Sequence, residues 1–207
     1  MRHSLSYGLV ALVAWLLLAG PALVAVPLDA SVSVGDGHNM TLRPGEDHAS
    51  TWPLKVQNVE ALTVKLMAVS GEQAKACATF THSWPKNKLG EGEILLLYKR
   101  QTDAQIIPSL GFHAGAGAGK FEGSVVKVKG KYLGGIRAAD RTLSPKEERL
   151  LEFGFVADES GEKLFRDSVK DVASLKELKT LQDVKNWAKK NPKVTVIALT
   201  VSWLPAE

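Results

Sequence analysis

The sequence predicts an α+β fold, with a β-rich sandwich-like or barrel-like core, C-terminal helices and a final strand that joins the sheet. Three observations predict it. Residues 61–81 alternate apolar and polar side chains with period two, which is typical of half-buried strands. After Ser144 apolar residues recur every three or four positions, as on one face of a helix. Residues 194–203 close the chain with a run rich in Val, Ile and Thr, which favours a strand.

The first 25 residues have the parts of an export signal. A short basic start is followed by an apolar run at 5–18, the helix-breaking Gly20-Pro21 pair and the small residue Ala25, where we expect cleavage. The alternative is an uncleaved inner-membrane anchor, because residues 7–26 carry no charge over about the 20 residues that cross a bilayer. The sequence therefore predicts a periplasmic or secreted protein.

Composition indicates one domain after the signal. The full chain has 207 residues and a formal net charge of +4, with most lysines interspersed among acids, as on a solvated surface. Its single cysteine, Cys77, excludes an intramolecular disulfide. Turn-forming residues at 35–37 and 43–47 predict a loosely structured N-terminal segment at 26–60. Residues 61–207 are then the exported β-rich domain.

The clearest local prediction is an antiparallel hairpin. Residues 61–69 place Leu and Val on one face and Thr and Lys on the other. Residues 74–81 repeat the alternation, and the four residues 70–73 are a short connection.

Three more strands are expected before the helical region. Residues 93–99 are apolar on both faces, which indicates a central strand. A short strand at 104–107 is expected to end at Pro108. Residues 121–129 form a third strand, which contains valines. On the opposite face three lysines recur every second residue: Lys127, Lys129 and Lys131.

The C-terminal third is predicted to be mainly helical. Residues 144–147 have the Ser, Pro and Glu of a helix start, while 151–156 fit either its continuation or a strand. Residues 161–172 predict another helix. Between Leu175 and Trp187 the apolar spacing of three indicates two short helices that meet near Thr180, with Thr180 capping the second.

The Gly-rich stretch at 111–123 is the leading candidate for a contact surface. It lacks the spacing of a phosphate-binding loop, because neither the upstream Gly nor the Ser or Thr after its Gly-Lys pair is present. We expect a flexible loop whose anchors are Phe112 and His113, with Lys120 beside them. Trp84, at the exit of a strand, is a further candidate for ligand stacking.

Two alternatives involve catalysis or metal. Cys77 and His82, with His48 as a third ligand, approximate the ligand types of a copper site, but no Met follows His82 as an axial ligand. A hydrolase would need an activated nucleophile, and no motif frames a serine beside His113 or Asp140.

The leading functional prediction is an exported, non-enzymatic binding or assembly module. The export signal and the absence of a catalytic motif favour it. Its expected partner is a protein or a component of the cell envelope, without nucleic acid and without a cofactor other than copper in the alternative above. Membrane contact is expected only through an uncleaved signal or through the weakly basic surface of the C-terminal helices.

Overall fold

The structure is a computed structural model that describes residues 29–84, 89–102, 105–115, 120–123, 126–138, 143–168, 175 and 178–206. The expected export signal at 1–25 lies outside these residues. In the described part of the chain, no helix has the length and apolar character needed to cross a membrane.

Seven strands of the described chain form one antiparallel sheet, here called sheet A. Its main order is β1 (Ser31–Val34), β3 (Glu46–Gln57), β6 (Leu89–Thr102), β7 (Gln105–Ala114) and β8 (Lys120–Gly123). The short strand β2 (His38–Asn39) pairs with β3, and β9 (Val128–Lys129) pairs with β7. The strand predicted at 93–99 is the central part of β6, between β3 and β7.

Five strands form a second antiparallel sheet, sheet B. Their order is β10 (Lys131–Arg137), β11 (Arg149–Ala157), β12 (Val194–Pro205), β4 (Val59–Ser70) and β5 (Gln73–His82). The last strand of the chain, β12, is therefore the middle strand of sheet B. The two antiparallel sheets confirm that the fold is β-rich.

The predicted hairpin is confirmed as β4 and β5. Leu66 pairs with Ala78, and the register shifts at the next residue, so that Cys77 is the extra residue of a bulge. Gly71, in the connection, has a φ of 57°, a conformation that glycine adopts without steric cost.

The apolar side chains form two clusters on opposite faces of sheet B. The first lies between the sheets and combines residues such as Trp52 and Leu96 of sheet A with Leu66 and Leu199 of sheet B. The second lies under the two described helices, α1 (Glu159–Ser168) and α2 (Leu181–Lys190). Thr180 caps α2 as predicted: its Oγ1 accepts the N–H of Asp183, whose carboxylate accepts the N–H of Thr180.

The segment at 26–60, expected to be loose, instead contains three strands within its described part. The longest, β3, alternates a buried face with an exposed one over twelve residues. Ser50 and Pro53 concealed this pattern in the sequence. Ser50 is buried although it is polar, and Pro53 lies on the exposed face of the strand.

The helix start expected at 144–147 is also wrong. Pro145 and Lys146 form a turn, and Lys146 has a φ of 64°. The ambiguous residues 151–156 belong to β11, because their apolar side chains are buried on both faces of sheet B.

The strand expected to end at Pro108 continues to Ala114. On one edge of β7, residues Gln105 and Ile106 pair with β9, whereas the residues from Ser109 onward pair with β8. Pro108 lies between these two pairings, where its missing N–H interrupts neither.

Candidate functional site

A carboxylate is buried between the two sheets. Glu152 of β11 is only 2% exposed, and three side chains of β3 bind it. Its Oε1 lies 2.6 Å from His48 Nε2, while its Oε2 accepts hydrogen bonds from Ser50 Oγ at 2.8 Å and Trp52 Nε1 at 3.0 Å. We call these four residues the Glu152 cluster.

Strand periodicity explains why the three donors converge. His48, Ser50 and Trp52 are alternate residues of β3, so their side chains leave the same face of sheet A. In β11, which packs against β3, the register with β12 shifts between Leu150 and Glu152. Glu152 lies on the inward face of β11 with Gly154 and Val156, and the bulge places the extra residue Leu151 on that face as well.

The cluster keeps its carboxylate charged. Burial alone would raise the pKa of Glu152, but the hydrogen bond and charge of His48, with the hydrogen bonds from Ser50 and Trp52, hold that pKa below its ordinary value. A carboxylate only accepts hydrogen bonds, so we assign the shared proton of the pair to His48 Nε2. Among the described residues, this hydrogen bond engages Nε2 and leaves the other ring nitrogen, Nδ1, outside the pair.

Two tyrosines enclose His48. The ring of Tyr132 stacks on it with centroids 5.1 Å apart and planes inclined by 24°, and Tyr98 lies at 5.5 Å. Burial raises the pKa of both phenols, so both stay neutral. Gly154 makes room for them, because a Cβ there would lie 2.7 Å from Tyr98 Oη and from Tyr132 Cε2.

A cleft opens beside the cluster. A cavity of about 390 Å³ is lined by Asp47, Arg100, Lys131 and Tyr132. Tyr132, which stacks on His48 of the cluster, also forms part of the wall of the cleft. Arg100 Nε donates to Asp47 Oδ1 at 3.0 Å, which fixes the guanidinium at the wall. The arrangement joins an oriented histidine to a concave, charged opening.

The structure brings together three of the residues that the sequence singled out, but in a packing role. Trp84 contacts His82 edge to face at 4.4 Å and Phe112 at 6.1 Å. Phe112 is 6% exposed within the core, which removes it as an exposed anchor. Gly90 leaves the space that the Trp84 ring occupies, because a Cβ at Gly90 would lie 2.2 Å from the indole nitrogen.

His113 and Lys120, predicted to lie in the same loop as Phe112, are in strands. His113 is in β7, paired with Glu93, and Lys120 begins β8, paired with Phe112. The expected loop is thus largely strand at its two ends, and its middle, 116–119, lies outside the described residues, as does Asp140.

The residues of the copper alternative lie apart. Cys77 is buried in the core, and His82, five residues further along the same strand, is about 16–17 Å away at the usual rise per residue. His48 is bound to Glu152. No group of three or more His, Cys, Asp or Glu side chains suited to a metal occurs in the part of the chain that the structure describes.

Sequence reasoning missed Glu152, Tyr132 and Arg100. One signal was available: Glu152 is the only charged residue of the run 150–156, and a lone acid in a buried strand requires donors from elsewhere. The donors were not identifiable, because His48, Ser50 and Trp52 lie about a hundred residues earlier in the chain.

In comparisons with protein-family models, curated proteins and solved structures, none matches this chain.

Proposed function

We propose that this protein is an exported, non-enzymatic binding module, and that its ligand occupies the cleft over the Glu152 cluster. The observation that carries the proposal is the His48–Glu152 pair at 2.6 Å, whose imidazole stacks on Tyr132, a residue of the cavity wall. In this proposal the two sheets form a sandwich-like scaffold, and a component of the cell envelope supplies the ligand.

The energetics of the cluster support a role beyond stability. Burying a charged pair has a desolvation cost, and the attraction between the two charges offsets that cost only when the geometry is good. Apolar residues of similar volume in the same positions often give an equally stable protein. Ser50, Trp52 and Glu152 fill positions that apolar residues occupy elsewhere on the same strands. The polar set orients the imidazole through Nε2, as a carboxylate does for a histidine that binds a ligand through its other nitrogen.

The hydrolase alternative has less support. An oriented histidine is one part of a nucleophilic site, but the nucleophile must lie within hydrogen-bond reach of it. In the described residues His48 has no hydrogen bond to Ser, Thr or Cys, and the nearby Ser50 donates to Glu152 instead. Binding is the function that this geometry favours.

The test uses NMR of the mature protein, with labelled His and Tyr rings, titrated with glucose, glucosamine and glucuronate as neutral, cationic and anionic probes. We expect at least one probe to shift the His48 and Tyr132 signals together. Arg100→Gln should alter the response, because Arg100 lines the cleft. Lys99→Gln is the matched control, because Lys99, the neighbour of Arg100 in β6, lines a different cavity that does not include Tyr132. If no probe perturbs His48 or Tyr132, the proposal is wrong.

A further inference from the structure

The cleft adjoins two further cavities, and we call the three together the groove. It shares Lys131 with a second cavity of about 480 Å³, whose lining also includes Lys129, Asp158 and Glu159. That cavity in turn shares Lys129 with a third, of about 190 Å³, which Lys75 and Lys127 also line. Three concave spaces therefore follow one another along the same edge of the molecule.

The groove carries an excess of positive charge. Among the described residues, five cations line it, Arg100 and the four lysines 75, 127, 129 and 131, against the three acids Asp47, Asp158 and Glu159. Two of the acids are already engaged: Asp47 by Arg100, and Asp158 by Ser160 Oγ and the Gly161 N–H at the start of α1.

The lysines have no such partners. None of Lys75, Lys127, Lys129 and Lys131 forms an ion pair with any described residue, and all four are exposed. Cations placed in a concavity without counter-charges create a positive potential that attracts anions.

Three of these lysines lie close together in the chain. Lys127 and Lys129 flank Val128, whose side chain enters the core, so they leave the opposite side of the chain. Lys131 follows the bend at Gly130 and begins β10, and we call these three residues the lysine row. Gly130 lies between them with a φ of 117°, and a Cβ there would be 2.3 Å from the Ala157 carbonyl oxygen. This close approach holds the row of lysines against the end of β11.

We propose that the groove binds a linear acidic polysaccharide, with its carboxylates along the lysine row and one sugar in the cleft beside His48. This inference rests on the proposed function, because it names the ligand class of the same cleft. Several lysines that line adjoining cavities, without ion pairs to described residues, match a chain that carries repeated negative charges.

Other polyanions fit the surface less well. A bilayer is flat and favours apolar side chains beside the cations, whereas the exposed apolar residues Met40, Leu42, Leu89 and Leu204 line none of the three cavities. Single-stranded nucleic acid favours a series of stacking aromatics, and Tyr132 is the one aromatic residue among the described lining residues.

The experiment measures binding of the mature protein to short polygalacturonate chains by calorimetry, with dextran as the neutral comparator. We expect binding to polygalacturonate only, weakening as salt is added. Each of Lys127→Gln, Lys129→Gln and Lys131→Gln should weaken it about fivefold, the usual effect of one lysine near an anionic surface. Lys55→Gln, an exposed lysine of β3 outside the groove, is the matched control and should leave affinity unchanged.

Vesicles of phosphatidylglycerol and single-stranded DNA complete the comparison. Stronger binding to either than to polygalacturonate overturns the proposal, and so does equal loss of affinity in Lys55→Gln and the groove variants. If glucose, glucosamine or glucuronate perturbs His48 but polygalacturonate does not bind, the groove proposal fails and the cleft proposal stands. If polygalacturonate binds through the lysines without perturbing His48 or Tyr132, the lysine row is correct and the cleft beside His48 is wrong.

Discussion

Two histidines contact the core between the sheets, and their surroundings differ in kind. His82 is surrounded by Trp84 and Phe112, at ring distances of 4.4 and 5.6 Å. His48 also contacts aromatic rings, but it is bound to the buried carboxylate of Glu152 and stacks on a residue of the cleft wall. Aromatic packing alone therefore does not distinguish a binding residue. The proposed binding function rests instead on the buried charge and the adjoining cavity.

Removing each histidine gives the largest expected contrast. His48→Ala leaves the buried carboxylate of Glu152 without the imidazole that pairs with it, and we expect a loss of about 3–5 kcal/mol in the free energy of unfolding. His82→Ala removes ring contacts at a half-buried position, which should cost about 1 kcal/mol. Urea unfolding of both variants measures the difference, and equal losses would contradict the distinction.

Replacing a glycine near each histidine by alanine should give a smaller difference in stability between the two regions. Gly154→Ala should cost about 1–3 kcal/mol, because its Cβ would meet the enclosed Tyr98 and Tyr132. Gly90→Ala should cost less, since its Cβ meets chiefly the half-buried ring of Trp84, which can move outward. Thermal unfolding ranks the pair, and the reverse order would show that the Tyr98–Tyr132 region is the looser one.

The Glu152 cluster also predicts a dependence of stability on pH. Since the folded-state pKa of Glu152 is lowered, its contribution is present above the ordinary glutamate pKa of about 4.3 and is lost as pH falls through the folded value. Glu152→Gln should therefore be less stable than wild type at neutral pH, and the two curves should converge below pH ~4. Parallel curves in acid-to-neutral denaturation series would contradict a charged Glu152.

Sequence reasoning predicted the parts of the fold that depend on local alternation. The hairpin of β4 and β5 and the central strand β6 followed from period two, and the cap at Thr180 followed from local side-chain chemistry. It failed where tertiary contacts decide. Ser50 is polar yet buried because Glu152 accepts its hydroxyl, and Phe112 sits in a glycine-rich stretch yet packs in the core.

The candidate site was less predictable than the fold for the same reason. His48 was named only as a metal ligand, and Lys127, Lys129 and Lys131 were recognised only as one face of a strand. Joining them requires the packing of β11 against β3 and the pairing of β10 with β11. Neither the packing nor the pairing has a local sequence signal.

The most direct test of the account is ¹⁵N NMR of the two imidazole rings while polygalacturonate is added to the mature protein. We predict that the Nδ1 signal of His48 shifts with saturation, while its Nε2 signal stays in place because the Nε2 proton remains hydrogen-bonded to Glu152. Both nitrogens of His82 should be unaffected. A response at His82, or none at His48 when the polymer is bound, would contradict the claim that the cleft over the Glu152 cluster is the binding site.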